Sequence, residues 1–137
     1  MNSKIFVDTS GFYALLVKKD ECHEKAQKVL REATKAKTLF VTTDYILDET
    51  ATLLRARSGG HLAGKFFKIV FSSKVCRVEW TDQERFFRTE KFYLKHHDHP
   101  WSFTDCLSFC VMGELKLSEA FTNDLHFRDA GYKVLLR

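Results

Sequence analysis

Short runs with the character of buried strands alternate along this chain with longer segments of helical periodicity, and that alternation restricts the fold more than any other feature. The opening run Lys4 to Val7 is apolar without alternating, as a strand covered on both faces must be, and it stops at Asp8-Thr9-Ser10-Gly11. GFYALLVKK follows as a short helix. DECHEKAQKVLREATKA reads as a longer one capped by Asp20, with Ala26, Val29, Leu30 and Ala33 at helical spacing. TLFVTT is a second buried strand. Thr43 or Asp44 then caps a helix whose stripe Ile46, Leu47, Ala51, Leu53 and Leu54 runs until Ser58-Gly59-Gly60 breaks it. On that helical wheel Glu49 lies on the shoulder of the stripe and Asp48 points away.

The pattern then repeats. HLAGKFFKIVFSS predicts a helix, VCRVEW a third strand, and Thr81-Asp82-Gln83-Glu84 a capping-box start for a helix reaching about His96. Ser102-Phe103-Thr104-Asp105 opens another helix, with Leu107, Cys110, Val111 and Leu115 on its buried side. EAFT is a short strand ending near Asp124, Phe127 to Gly131 a helical turn, and YKVLL a last strand. Alternation of this kind predicts an α/β fold of three layers, a central parallel sheet with helices on both faces, joined by right-handed crossovers.

A chain of 137 residues has room for one sizeable core, so residues 1–137 are expected to form a single domain. A hydrophobic content of 45%, with thirteen Phe, rules out a disordered chain. The net charge of +4 is compatible with a polyanionic partner without demanding one. Four cysteines without a CxxC pair, and an N-terminus unlike a signal peptide, predict reduced thiols in a cytoplasm. No apolar run approaches the roughly 18 to 20 residues needed to cross a bilayer.

In an open parallel sheet, ligands bind beyond the carboxyl ends of the strands, and Asp8 and Asp124 stand just after predicted strands. Asp105 is in the first turn of a helix, and Glu49 is about one and a half turns into another. Taken singly, each has an ordinary structural reading. Asp105 serves as the third residue of a capping box, Asp8 as a turn former, Glu49 as a solvated helix residue, Asp124 as a helix cap. Taken together, four carboxylates are what two-metal phosphodiester hydrolysis asks for: oxygen ligands flanking ions about 3.5 to 4 Å apart. Without metal such a cluster repels itself and draws protons onto some members.

The motifs VDTSGF around Asp8, DYILDETATLL around Glu49, FTDCLSF around Asp105 and TNDLHF around Asp124, in that order, resemble the PIN-domain family, most closely its small VapC-type toxins. The resemblance covers nearly the whole chain. It implies a compact α/β/α fold and an endoribonuclease dependent on Mg²⁺ or Mn²⁺, with Asp8, Glu49, Asp105 and Asp124 as catalytic metal ligands. Thr9, Ser10 and Thr104 would be supporting hydroxyls around them. Its implied partners are RNA, single-stranded or looped because an A-form duplex hides its base edges, an antitoxin protein and a second copy in a homodimer.

Other features read more plainly. His96, His97 and His99 invite a transition metal, but their spacing matches no standard site and a solvated helix end accounts for them. Cys106 and Cys110 read as small buried thiols. His126 either meets RNA or a proton near the fourth acid, or packs beside Phe127. The basic sets Arg55, Arg57, Lys65, Lys68 and Arg85, Arg88, Lys91, Lys95 are candidate RNA guides or merely solvated faces. A phosphotransfer protein would want a second Asp where Ser10 stands, or a late Lys after a strand. A non-catalytic PIN-fold binding module is the alternative from a different class.

Overall fold

The computed structural model describes residues 3–137. Strand β1 (Lys4–Val7) leads into helix α1 (Thr9–Leu16) and α2 (His23–Lys35). Next come β2 (Leu39–Thr43), α3 (Asp44–Ser58), α4 (Gly60–Ser72), β3 (Cys76–Glu79) and α5 (Gln83–Lys95). The chain closes with α6 (Phe103–Leu115), β4 (Glu119–Phe121), α7 (Leu125–Asp129) and β5 (Lys133–Val134). All strand pairings are parallel, in the order β3-β2-β1-β4-β5, with helices packed around the sheet as an α/β/α sandwich. The alternation in the sequence is therefore realised as expected.

The buried strands owe their lack of alternation to cover on both faces: Ile5, Phe6 and Val7 of β1 are all buried, as are Ala120 and Phe121 of β4. Phe6, Phe121, Phe127, Ile46, Leu54, Leu107 and Met112 lie at the centre of the core. Helix α6 is buried nearly all round, Cys106, Leu107, Ser108, Phe109, Val111 and Met112 included, because it lies under α5 and α7. That is broader than the stripe its sequence indicates, and Cys110 and Leu115 are only partly covered.

The strand order reverses between β1 and β4. Successive crossovers carry the chain from β1 to β2 to β3 on one side and then back to β4 and β5 on the other, leaving a crevice at the carboxyl ends of the central pair. Register places Val7 opposite Phe121, so the residues just after β1 and β4 emerge side by side there. Gly11 holds this junction tight. A Cβ on it would lie 2.2 Å from the carbonyl oxygen of Phe121, so only glycine lets α1 sit so close to the end of β4.

Three helix starts differ from their sequence readings. Helix α2 begins at His23 with Cys22 as its cap residue, while Asp20 accepts the Cys22 N–H at 3.0 Å one step earlier, forming a turn before the helix instead of capping it. Helix α5 is capped by Asp82, which accepts from the Arg85 N–H at 2.8 Å. Thr81 is drawn away from that role because its hydroxyl and N–H both donate to Asp44, at 2.6 and 3.1 Å. Helix α1 starts at Thr9, directly after Asp8. The capping box of Ser102 and Asp105 and the Thr43 cap are as read. No helix among the described residues is long and apolar enough to cross a membrane.

Candidate active site

Asp8 occupies the N-cap position of α1, yet its carboxylate makes no capping hydrogen bond. It turns instead toward Thr122, whose hydroxyl donates to Asp8 Oδ2 at 2.8 Å. Thr122 in turn accepts the Asp124 N–H at 3.0 Å and lies 2.9 Å from the Ser10 hydroxyl, which itself accepts the Asn123 N–H at 3.0 Å. With the Thr122 proton committed to Asp8, the Ser10 hydroxyl must donate to Thr122. One chain of hydroxyls thus ties the end of β1 to the end of β4. Thr9 supports it from below, accepting the buried Thr50 hydroxyl of α3 at 3.2 Å.

The other acids arrive from three further elements. Asp105 completes the capping box of α6, accepting the Ser102 N–H at 3.2 Å, and Asp124 caps α7 by accepting the His126 N–H at 2.9 Å. Both structural readings are therefore true locally, and both carboxylates still have oxygen lone pairs to offer. His126 Nδ1 sits between them, 3.3 Å from Asp105 Oδ2 and 3.5 Å from Asp124 Oδ1. Glu49 projects from α3 into the same cleft as Asp8, Thr9, Ser10, Asp124 and His126, a hollow of about 530 Å³ that Arg57 and Arg137 also line. Thr104 is half-buried beside Asp105, and its hydroxyl bonds none of the four acids among the described residues.

The electrostatics follow from burial without a compensating cation. Asp8 is only 6% exposed. Its pKa is pushed up to about 7, chiefly by desolvation and further by the carboxylates of Glu49 and Asp105, against the lowering effect of the Thr122 hydroxyl and the Thr9 backbone. Asp105 is also raised, first by burial and then by Asp124, while the Ser102 N–H and His126 work in the opposite direction. Asp8 thus feels Glu49 and Asp105, and Asp105 feels Asp124, while Asp105, Asp124 and His126 offer ligand atoms close enough together to hold a metal ion.

A model of the PIN domain matches residues 5–132. The chain belongs to the PIN-domain family. Among its relatives are the 23S rRNA-specific endonuclease VapC20 of Mycobacterium tuberculosis, 33% identical over 93% of this chain and 95% of that protein, and a VapC ribonuclease of Archaeoglobus fulgidus, 34% identical over 81% of this chain and 71% of that protein. A crystal structure of M. tuberculosis VapC20, described as a toxin cleaving the sarcin-ricin loop, superimposes with a TM-score of 0.83 at 30% identity, covering 93% of this chain and 95% of that one. The chain is thus a PIN-domain protein of VapC type, a ribonuclease-class hydrolase with the α/β/α fold of that family.

Several residues in or beneath the cleft were not singled out by sequence reasoning. Thr122 stands at the end of a strand, where a threonine is unremarkable. Its one sequence signal is its place two residues before Asp124, mirroring Thr9 and Ser10 after Asp8. Asp20, read as a helix cap, lines the cleft too, as do Tyr13, Asn123 and Arg137. Arg57 reaches it while lying over the Tyr13 ring, 5.7 Å from the centroid. The second basic set is different in kind: Arg85 pairs with Glu79 and Glu114, and Arg88 with Glu84 and Glu114, so these charges are answered internally. The histidine turn is stacked as well as solvated, with His99 lying flat on Trp101 at 4.0 Å. All four cysteines are free thiols.

Proposed function

We propose that residues 1–137 act as one divalent-metal-dependent endoribonuclease unit, the toxin of a toxin-antitoxin pair, cutting single-stranded or looped RNA with Asp8, Glu49, Asp105 and Asp124 as metal-holding groups. The observation that carries this reading is Asp8: a carboxylate buried at the switch point of the sheet, flanked by other acids and given no cationic partner. Such an arrangement costs stability in the free protein, and it is retained at the edge of an open cleft where phosphate can enter. Asp8, Glu49, Asp105 and Asp124 would hold Mg²⁺ or Mn²⁺, which would supply the Lewis acidity that hydrolysis of a phosphodiester needs.

The chain's own groups have distinct tasks. Thr122 fixes the orientation of Asp8 and, through the Asp124 N–H, the approach of β4 to it. Ser10 holds Thr122 in the donating state. Glu49, more exposed than Asp8 and accepting no hydrogen bond among the described residues, is free to orient the attacking water. Arg57 and Arg137 place positive charge in the cleft for the phosphodiester backbone. The cleft's openness and the loop named as the target of VapC20 both favour looped RNA over a regular duplex.

The partners follow from the surface. Phe67, Phe71 and Trp80 form an exposed stack, and Phe87 and Leu94 are exposed on α5, apolar area suited to an antitoxin segment and to a homodimer contact. Free thiols accord with a reducing cytoplasm. The reading is tested by incubating the purified protein with labelled loops, single strands and duplexes in Mg²⁺, Mn²⁺ or EDTA. Metal-dependent internal cleavage concentrated in loops supports it. A folded protein that binds these RNAs without cutting any of them identifies a binding module instead.

A further inference from the structure

Among the described residues, His126 adds a nitrogen donor to a group otherwise built of carboxylates. Its Nδ1 is shared between Asp105 Oδ2 at 3.3 Å and Asp124 Oδ1 at 3.5 Å, and the three groups offer ligand atoms that all lie within 4.8 Å of one another. Both separations are long for a charge-assisted hydrogen bond, which runs about 2.7 to 2.9 Å. They match the edges of a coordination polyhedron better. Ligands about 2.0 to 2.2 Å from a metal stand about 3.0 to 3.5 Å apart, depending on whether the geometry is octahedral or tetrahedral.

The surroundings hold this triad in place. The His126 N–H donates to Asp124 Oδ1 at 2.9 Å, so the ring is fixed relative to one carboxylate by its own backbone, and the Ser102 N–H fixes the other. His126 and Asp124 line the cleft, each 35% exposed, and Asp105 lies beside them, 14% exposed.

Resting on the proposed metal-dependent nuclease, we infer that His126 is a metal ligand: Asp105, Asp124 and His126 form a mixed nitrogen and oxygen position that favours a first-row transition ion, Mn²⁺ included, over Mg²⁺. The chemistry is that of donor softness. Mg²⁺ demands oxygen ligands and a near-ideal octahedron, whereas an imidazole nitrogen is a good donor to first-row dications and a poor one to Mg²⁺. Asp8 and Glu49 stand outside this triad and keep an all-oxygen character. The two halves of the site therefore differ in the ions they accept.

The test reads binding directly. Mn²⁺ and Mg²⁺ affinities are measured by calorimetry on the wild type, His126→Gln and His126→Phe, and the Mn²⁺ complexes are examined by electron-spin-echo envelope modulation, which detects a directly bound imidazole nitrogen. The expected result is nitrogen modulation in the wild type, its loss in both variants, and a fall in the Mn²⁺-over-Mg²⁺ preference of about tenfold or more with Mg²⁺ affinity little changed. Mn²⁺ binding without nitrogen modulation in the wild type overturns the inference and leaves the four-acid reading standing. No binding of either ion to the folded wild type overturns that reading as well. Because the spectroscopic result comes from the wild type, poor folding of a variant does not obscure it.

Discussion

Thr122 donates its hydroxyl proton to Asp8 across the junction of β1 and β4, 2.8 Å from Oδ2, and accepts the Asp124 N–H with the same oxygen at 3.0 Å. One side chain thereby positions two acids that are far apart in the chain. Thr122→Val keeps the shape, removes these two hydrogen bonds and the one from Ser10, and leaves the Asp124 N–H and the buried Asp8 carboxylate oxygen short of a partner. The expected loss is about 1 to 3 kcal/mol of stability together with a marked fall in cleavage rate, while Thr122→Ser retains most of both. Denaturant unfolding and single-turnover cleavage on the three proteins check this.

The buried acid makes metal-free stability depend on pH. The folded protein binds the Asp8 proton more tightly than the unfolded chain, with a pKa near 7 against 3.8. In this pH interval the native state carries a proton that the unfolded state lacks. The Asp8 contribution therefore declines as pH rises from about 4 to about 7 and levels off above. Asp8→Asn should remove that slope and raise the Tm of metal-free protein at pH 8. Added Mn²⁺ should raise the Tm of the wild type there and that of Asp8→Asn much less. Thermal scans from pH 4 to 8, with and without metal, read both effects, and a wild-type Tm unaffected by metal at pH 8 would count against a cation beside Asp8.

Gly11 sets how closely α1 approaches β4. Gly11→Ala places a methyl where the Phe121 carbonyl oxygen already stands, 2.2 Å away, so the helix start must shift. The expected cost is about 1 to 3 kcal/mol, seen in chemical denaturation, with weakened metal binding because Asp8 moves along with the helix.

Arg85 separates structural charge from substrate-facing charge. Its guanidinium holds the buried Glu79 and the exposed Glu114, and its own side chain is only 12% exposed. Arg85→Met leaves the buried Glu79 with only the exposed Arg77 and Glu114 with Arg88, so it should cost about 1 to 3 kcal/mol while RNA affinity, measured under folding conditions, stays near wild type. Arg57→Ala, in the cleft, should do the reverse and lessen the salt dependence of RNA binding.

Most of the architecture was readable because it rests on local physics. Ile5 to Val7 must be a covered strand, and Asp8 must fall at its end. Ser102 and Asp105 form a capping box whatever surrounds them. The helix starts that were misread are those where a tertiary partner competes: Asp44 captures Thr81 and so leaves Asp82 to cap α5. The four acids were visible as a set through their motifs, but their meeting was not, since it depends on the reversal of strand order between β1 and β4. Thr122 was hidden for the same reason. Its importance comes from Asp8, 114 residues away in sequence, and the only local sign of it is its place two residues before Asp124. His126 was legible only as a choice between packing and chemistry, which the positions of Asp105 and Asp124 resolve toward the cleft.

The central claim is that the four carboxylates act as one metal-holding group on RNA. Single-turnover cleavage of a looped RNA in Mn²⁺ by the wild type, Asp8→Asn, Glu49→Gln, Asp105→Asn and Asp124→Asn, each confirmed folded, tests it most directly. The account expects every variant to lose on the order of a hundredfold or more in rate, since amide oxygens carry no charge to hold the cations. Wild-type rates in Asp8→Asn, or cleavage that persists unchanged in EDTA, would contradict it.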